Sequence, residues 1–129
     1  MSFRPPRSLP ILTLFHSVKS DKSRAALALL QNKQKNARGD DTYKIDIIDH
    51  QTPTDTQLKQ VASFLQSPTP WKDMIVDHNA NNAQDAIQAI QDNPNLLNRP
   101  IVVDWQKGKA AIGSRTLDTI EQLIKQVHQ

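Results

Sequence analysis

The chain of 129 residues contains no cysteine. That excludes disulfides, thiolate nucleophiles and cysteine-ligated metals from its chemistry. It has only three glycines, and none forms a phosphate-cradling loop. Aromatic residues make up 5% of the chain. Trp71 and Trp105 stand without aromatic companions, so they read as packing residues rather than base-stacking platforms. No apolar run approaches the roughly 20 residues that a membrane-spanning helix needs. The four histidines, His16, His50, His78 and His128, show no ligand spacing, and no metal site is expected. The net charge of +3 comes from lysines and arginines interleaved with acids. This describes a solvated surface, not a nucleic-acid-binding face.

What is present begins with a biased N-terminus. Arg4, Arg7 and Lys19 precede the first acid, Asp21, which suits a mitochondrial address. Pro5, Pro6 and Pro10 break any long amphipathic helix there. Residues 1–8 are therefore read as an N-terminal extension that could serve as a targeting segment, and 9–129 as one domain. The localisation that follows is mitochondrial, with cytoplasmic as the alternative.

The rest of the chain alternates strand and helix patterns. Ile11 to Phe15 reads as a first strand. Ser20 stands as N-cap of a helix rich in alanine and leucine, with Asp21 suited to the positive end of the dipole. Ala26, Leu27 and Leu30 mark its buried face, and the Lys33 to Gly39 stretch closes it. Tyr43 to Asp49 alternates as a second strand, with Tyr43, Ile45 and Ile47 on one face. Thr54 and Gln57 have capping-box spacing ahead of a stripe of Leu58, Val61, Ala62 and Leu65. Trp71 to His78 reads either as one helical turn or as a loop anchored by Trp71. Asn81 or Asn82 then caps a helix with Ala83, Ala86, Ile87 and Ile90 on one face, stopped at Asn93-Pro94.

Asn98 to Gly113 reads as two strands and a tight turn. Ile101 to Val103 is an unbroken β-branched run, as in a strand buried on both faces. Gln106-Lys107-Gly108 fits a three-residue loop with Gly108 in the left-handed conformation. A last helix from Ser114 or Thr116 turns Leu117, Ile120, Leu123, Ile124 and Val127 inward. The order β-α-β-α-α-β-β-α implies an α/β domain, with a parallel pair first and an antiparallel hairpin last. That is the layout of a thioredoxin-like fold, a mixed four-stranded sheet with helices on both faces.

Phe15-His16-Ser17-Val18-Lys19-Ser20-Asp21-Lys22-Ser23-Arg24-Ala25-Ala26-Leu27 resembles the first loop and helix of the thioredoxin-fold, glutaredoxin-coupled arsenate reductases. Leu97 to Val103 and Lys109 to Gly113 are similar to that family's Arg-Pro-Ile-Val segment and Ile-Gly turn. Val102 to Gly113 also resembles a small fungal family of mitochondrial redox proteins. The resemblance implies an oxidoreductase lineage. It also implies a cis bond before Pro100, an anion-binding role for Arg99, and a lesser second-arginine role for Arg115.

Against this pattern, Ser20 stands where the reductases keep their catalytic cysteine, and Ser17-Val18 replaces Asn-Pro. A serine gains little from a helix dipole and needs a base such as His16 within hydrogen-bond reach; otherwise it is a cap. No catalytic residue is therefore assigned. The binding residues implied are His16, Ser20, Lys22, Arg99 and Pro100, and the ligand is a small thiol such as glutathione, or an oxyanion. Reduction is not expected without the sulfur. The alternative is a non-enzymatic interaction module docking on a protein partner in a mitochondrial assembly.

Overall fold

The computed structural model describes residues 9–49, 51, 53–65, 67–76, 82–114 and 116–127. The N-terminal extension, Asn81, Arg115, His50, His78 and His128 lie outside them. The elements in order are β1 (Ile11–Phe15), α1 (Asp21–Lys33), β2 (Lys44–Ile48), α2 (Asp55–Phe64), α3 (Pro70–Asp73), α4 (Ala83–Asp92), a 3-10 turn (Pro94–Leu96), β3 (Ile101–Asp104), β4 (Lys109–Ile112) and α5 (Asp118–Val127). The four strands form one sheet in the order β2-β1-β3-β4, with β1 and β2 parallel and the other pairs antiparallel. The layout is the expected mixed sheet, with α3 as an additional short helix.

Local chemistry accounts for most of the element boundaries. Ser20 accepts the Ser23 N–H as N-cap of α1, and Thr54 and Gln57 close the capping box of α2. Asn82 accepts the Asp85 N–H at the start of α4. Each cap satisfies donors that the first helical turn leaves orphaned. Pro70 opens α3, where its missing N–H costs nothing. Behind α3, Ile75 bridges Leu97 in antiparallel fashion, and Asn98 N–H donates to Met74 O at 2.7 Å. The Trp71 region is thus one helical turn tied to the approach of β3.

The sheet separates two apolar clusters. Leu12, Leu14 and Val102 face α1 and α5 through Ala26, Leu30, Ile120 and Leu123, together with Tyr43. Phe15, Ile101 and Val103 face α2 and α4 through Leu58, Val61, Ile87 and Ile90. All four residues of β3 are buried, as its β-branched run implies.

Several expectations are corrected in detail. The β3–β4 loop has four residues, because the register pairs Asp104 with Lys109. Trp105 leaves the strand, stacks edge-on against Phe64, and donates from Nε1 to Thr13 Oγ at 2.8 Å. Gly108 does take a positive φ, at 66°. The second strand is shorter than Tyr43 to Asp49, and Ile47 is 45% exposed because β2 is an edge strand. Helix α1 ends at Lys33 with Gln34 as its cap, and Gly39 (φ 82°) serves a later turn. Helix α5 starts at Asp118, not at Ser114 or Thr116.

Candidate functional site

Register brings the candidate residues to one end of the sheet. Phe15, the last residue of β1, pairs with Ile48 at the end of β2 and with Ile101 at the start of β3. His16, Asp49 and Pro100 are the next residues out along these three strands. The His16-to-Ser20 loop, Asp49 and the Arg99-Pro100 step therefore share the carboxyl end of the parallel pair, where open α/β sheets bind ligands. The Arg99-Pro100 peptide bond is cis, and Gly113 N–H donates to Pro100 O at 2.9 Å.

Ser23 is the hub of the loop. Its Oγ accepts Ser17 N–H at 2.8 Å and lies 2.6 Å from His16 Nδ1. Its backbone N–H donates to Ser20 Oγ at 3.2 Å. Both Ser23 and His16 are buried. With the hydroxyl accepting from Ser17, its proton is free to go to Nδ1 in the tautomer whose ring N–H is on Nε2. His16 N–H in turn donates to Ile48 O at 2.8 Å. Nδ1 is thus committed to Ser23, and no His16–Ser20 bond forms. Ser20 is a helix cap, not an activated nucleophile.

The first turn of α1 still offers donors. Ser23 and Arg24 send their N–H groups to Ser20, whereas those of Asp21 and Lys22 have no acceptor among the described residues. Both residues are exposed at the positive end of the helix dipole. The Arg24 guanidinium is held by Asp21 Oδ1 and by Val18 O, and Lys22 is exposed.

Arg99 is the electrostatic anomaly at this end of the sheet. Nη1 donates to Pro94 O at 3.2 Å, but the buried Nε has no partner. Burial pushes the guanidinium below its ordinary range, and the negative charge of Asp49 pulls it the other way. An arginine stays protonated under such a shift, so a cation with an unsatisfied donor sits beside Pro100. Asp104 Oδ2, at the far end of β3, is likewise buried without a partner, while Oδ1 accepts Lys107 N–H at 3.3 Å to close the hairpin.

The structure joins His16 and Ser20 through Ser23, and places Arg99 and Pro100 at the same sheet end by topology. It records no direct contact from Ser20 or Lys22 to Arg99. The sequence reading passed over Ser23 and Asp49. The available signals were Ser23's position three residues after the cap and Asp49's position just past a parallel strand. No three histidine, aspartate or glutamate side chains gather as a metal-holding group among the described residues. No described helix is long and apolar enough to cross a membrane.

A four-stranded mixed sheet with this loop and a cis-proline is the thioredoxin-like fold of the arsenate reductases. An arsenate reductase from Vibrio cholerae superposes with a TM-score of 0.67 at 24% identity, covering 88% of this chain and 98% of that one. The chain belongs to the arsenate reductase-like family described as "Protein of unknown function (DUF1687)", which matches residues 3–113. Arsenate reductases from two Neisseria meningitidis strains, of serogroups A and B, are 35% identical over 128 residues, covering 90% of this chain and 100% of each relative.

Proposed function

We propose that this chain is a mitochondrial redox-family protein that binds a small oxyanion or thiol, such as arsenate or glutathione, without reducing it. The ligand lies between the start of α1 and the Arg99-Pro100 step. The observation that carries this is Arg99, whose buried Nε–H lacks an acceptor. Leaving such a donor unpaired costs about 1–3 kcal/mol, so the Arg99 side chain gains by turning Nε–H toward an arriving oxygen. The N–H groups of Asp21 and Lys22 supply a second set of donors, favoured toward anions by the helix dipole.

The chemistry stops at binding. Attack on an oxyanion or a disulfide requires a thiolate, and the chain has no sulfur nucleophile. Ser20 oxygen has no base in place, because His16 Nδ1 is held by Ser23. Arsenate and insulin reduction by the purified chain should therefore read blank, and turnover above background refutes this proposal. Titration with arsenate and, separately, glutathione, followed by amide NMR, should shift Ser20, Lys22 and Arg99. Silence at all three in both titrations removes the binding reading. The mitochondrial placement draws on the basic stretch before Asp21, and fractionation of a tagged chain checks it.

The missing cysteine favours a second reading, in which the fold serves as a docking surface in a mitochondrial assembly. It requires a stable protein partner after gentle purification. Recovery as a free monomer counts against it.

A further inference from the structure

The open edge of β4 lies apart from the Ser20 end. β4 is the outermost strand of the sheet. Gly113 N–H donates to Pro100 O at 2.9 Å, which makes Pro100 and Gly113 a hydrogen-bonded pair. In an antiparallel ladder such pairs alternate with pairs that turn their groups away from each other. Ile112 and Ala110, opposite Ile101 and Val103, therefore direct their N–H and C=O away from β3. Ile112 O confirms the direction, because it accepts Thr119 Oγ at 2.8 Å. Among the described residues, Ala110 N–H, Ala110 C=O and Ile112 N–H have no partner along the edge.

This edge lines a cavity of about 740 Å³. Phe64, Ile75 and Val76 supply apolar surface, while Thr119, Gln122 and Gln126 of α5 supply hydroxyl and amide groups. A strand added to an edge turns alternate side chains to opposite faces. The two linings suit an occupant that alternates apolar and polar residues. Charge narrows the choice further. Lys109, on the α5 side with Ala111, and Lys72, on the α3 side, both line the cavity, and neither takes part in an ion pair among the described residues. The one acid among the described lining residues, Asp73, already accepts the hydroxyls of Ser67 and Thr69 at 2.5 and 3.4 Å.

We propose that the β4 edge is a docking strand for an extended acidic peptide of a partner protein, which adds to the sheet through Ala110 and Ile112 and meets Lys109, on the α5 side, with its carboxylates. A second copy of this chain fits less well, since it brings four lysines and no uncommitted acid into one interface. This site stands whether or not the Ser20 end binds a ligand.

The test titrates the full chain with a capped seven-residue peptide alternating valine and glutamate, read by amide NMR. Saturable shifts are expected at Ala110 and Ile112, with no binding of the matching valine–lysine peptide. Lys109→Glu should weaken binding about two- to fivefold, on the order of one surface charge contact. Ala110→Pro should abolish it while leaving the ladder to β3 intact, because that N–H faces the open edge. If Ala110→Pro does not fold, Lys109→Glu carries the test alone. Absence of shifts at millimolar peptide overturns the proposal, as does equal binding of the lysine peptide. Concentration-dependent dimerisation in sedimentation, with Ala110 and Ile112 protected, also overturns it.

Discussion

Ser20→Cys exchanges one oxygen for sulfur at the N-cap of α1, and its consequence can be worked from the local geometry. An ordinary cysteine titrates near 8.5. At this position the thiolate accepts the Ser23 N–H that Ser20 Oγ now accepts at 3.2 Å; a hydrogen bond to a charged acceptor contributes about 1.5–3 kcal/mol. The start of a helix contributes about 0.3–1 kcal/mol more toward the anion. Together these amount to roughly 2–4 kcal/mol, and at 1.36 kcal/mol per unit the thiol should titrate at about 5.5–7. At pH 7 a thiol at 8.5 is about 3% ionised, whereas one near 6.5 is about 75% ionised. Its lower intrinsic nucleophilicity takes back about eightfold over two units. The net gain in alkylation rate is therefore only about threefold at pH 7, rising to about tenfold near pH 5.5. Thiolate absorbance against pH reads the midpoint directly, and the iodoacetamide rate profile supplies an independent measure. A midpoint at 8.5 or above refutes the idea that this loop retains the environment of a thiol site. Adding Arg99→Met to Ser20→Cys should raise the midpoint; no change would separate Arg99 from that site.

Three further outcomes follow from other residues. Ser23→Ala removes the acceptor for Ser17 N–H and the buried partner of His16, and should destabilise the fold by about 1–3 kcal/mol, read as a lower urea midpoint. Gly113→Ala places a Cβ at 2.5 Å from Ile120 Cδ1 and 3.2 Å from Pro100 Cγ. Overpacking of this kind costs about 1–3 kcal/mol, and thermal denaturation should show the melting temperature falling by several degrees; an unchanged value would mean that Ile120 turns its Cδ1 aside without cost. Tyr43 is buried and pushed up to about 12 by desolvation, so its neutral form is favoured in the folded chain. Its contribution is fully present below pH 10 and is lost as the pH rises toward 12, about 2–3 kcal/mol in all. Tyr43→Phe should flatten that alkaline limb of the stability curve, although it also strands Leu30 O, which the phenol now satisfies.

The sequence by itself determined the local elements. Serine, threonine and asparagine caps name their helices because a cap is a bond between residues three apart. The Ile101-to-Val103 run declares burial because β-branched residues without alternation suit a strand covered on both faces. The same locality explains the errors. The sequence pattern makes the hairpin loop one residue too short, because Trp105 leaves the strand only to reach Thr13 and Phe64, partners distant along the chain. Ile47 alternates like a core residue, and only the strand order places β2 at an edge.

The site divides along the same line. Ser20, His16, Arg99 and Pro100 were legible as residue types in a familiar pattern, and the absence of cysteine was plain from the outset. Tertiary structure alone decided that His16 belongs to Ser23 rather than to Ser20, and that Arg99 Nε is buried without an acceptor. It alone set Asp49 near Arg99 and gave β4 its open edge. Composition and spacing fix what each short stretch tends to form. Which donor meets which acceptor depends on register and chain crossing, because a hydrogen bond is satisfied only at about 3 Å.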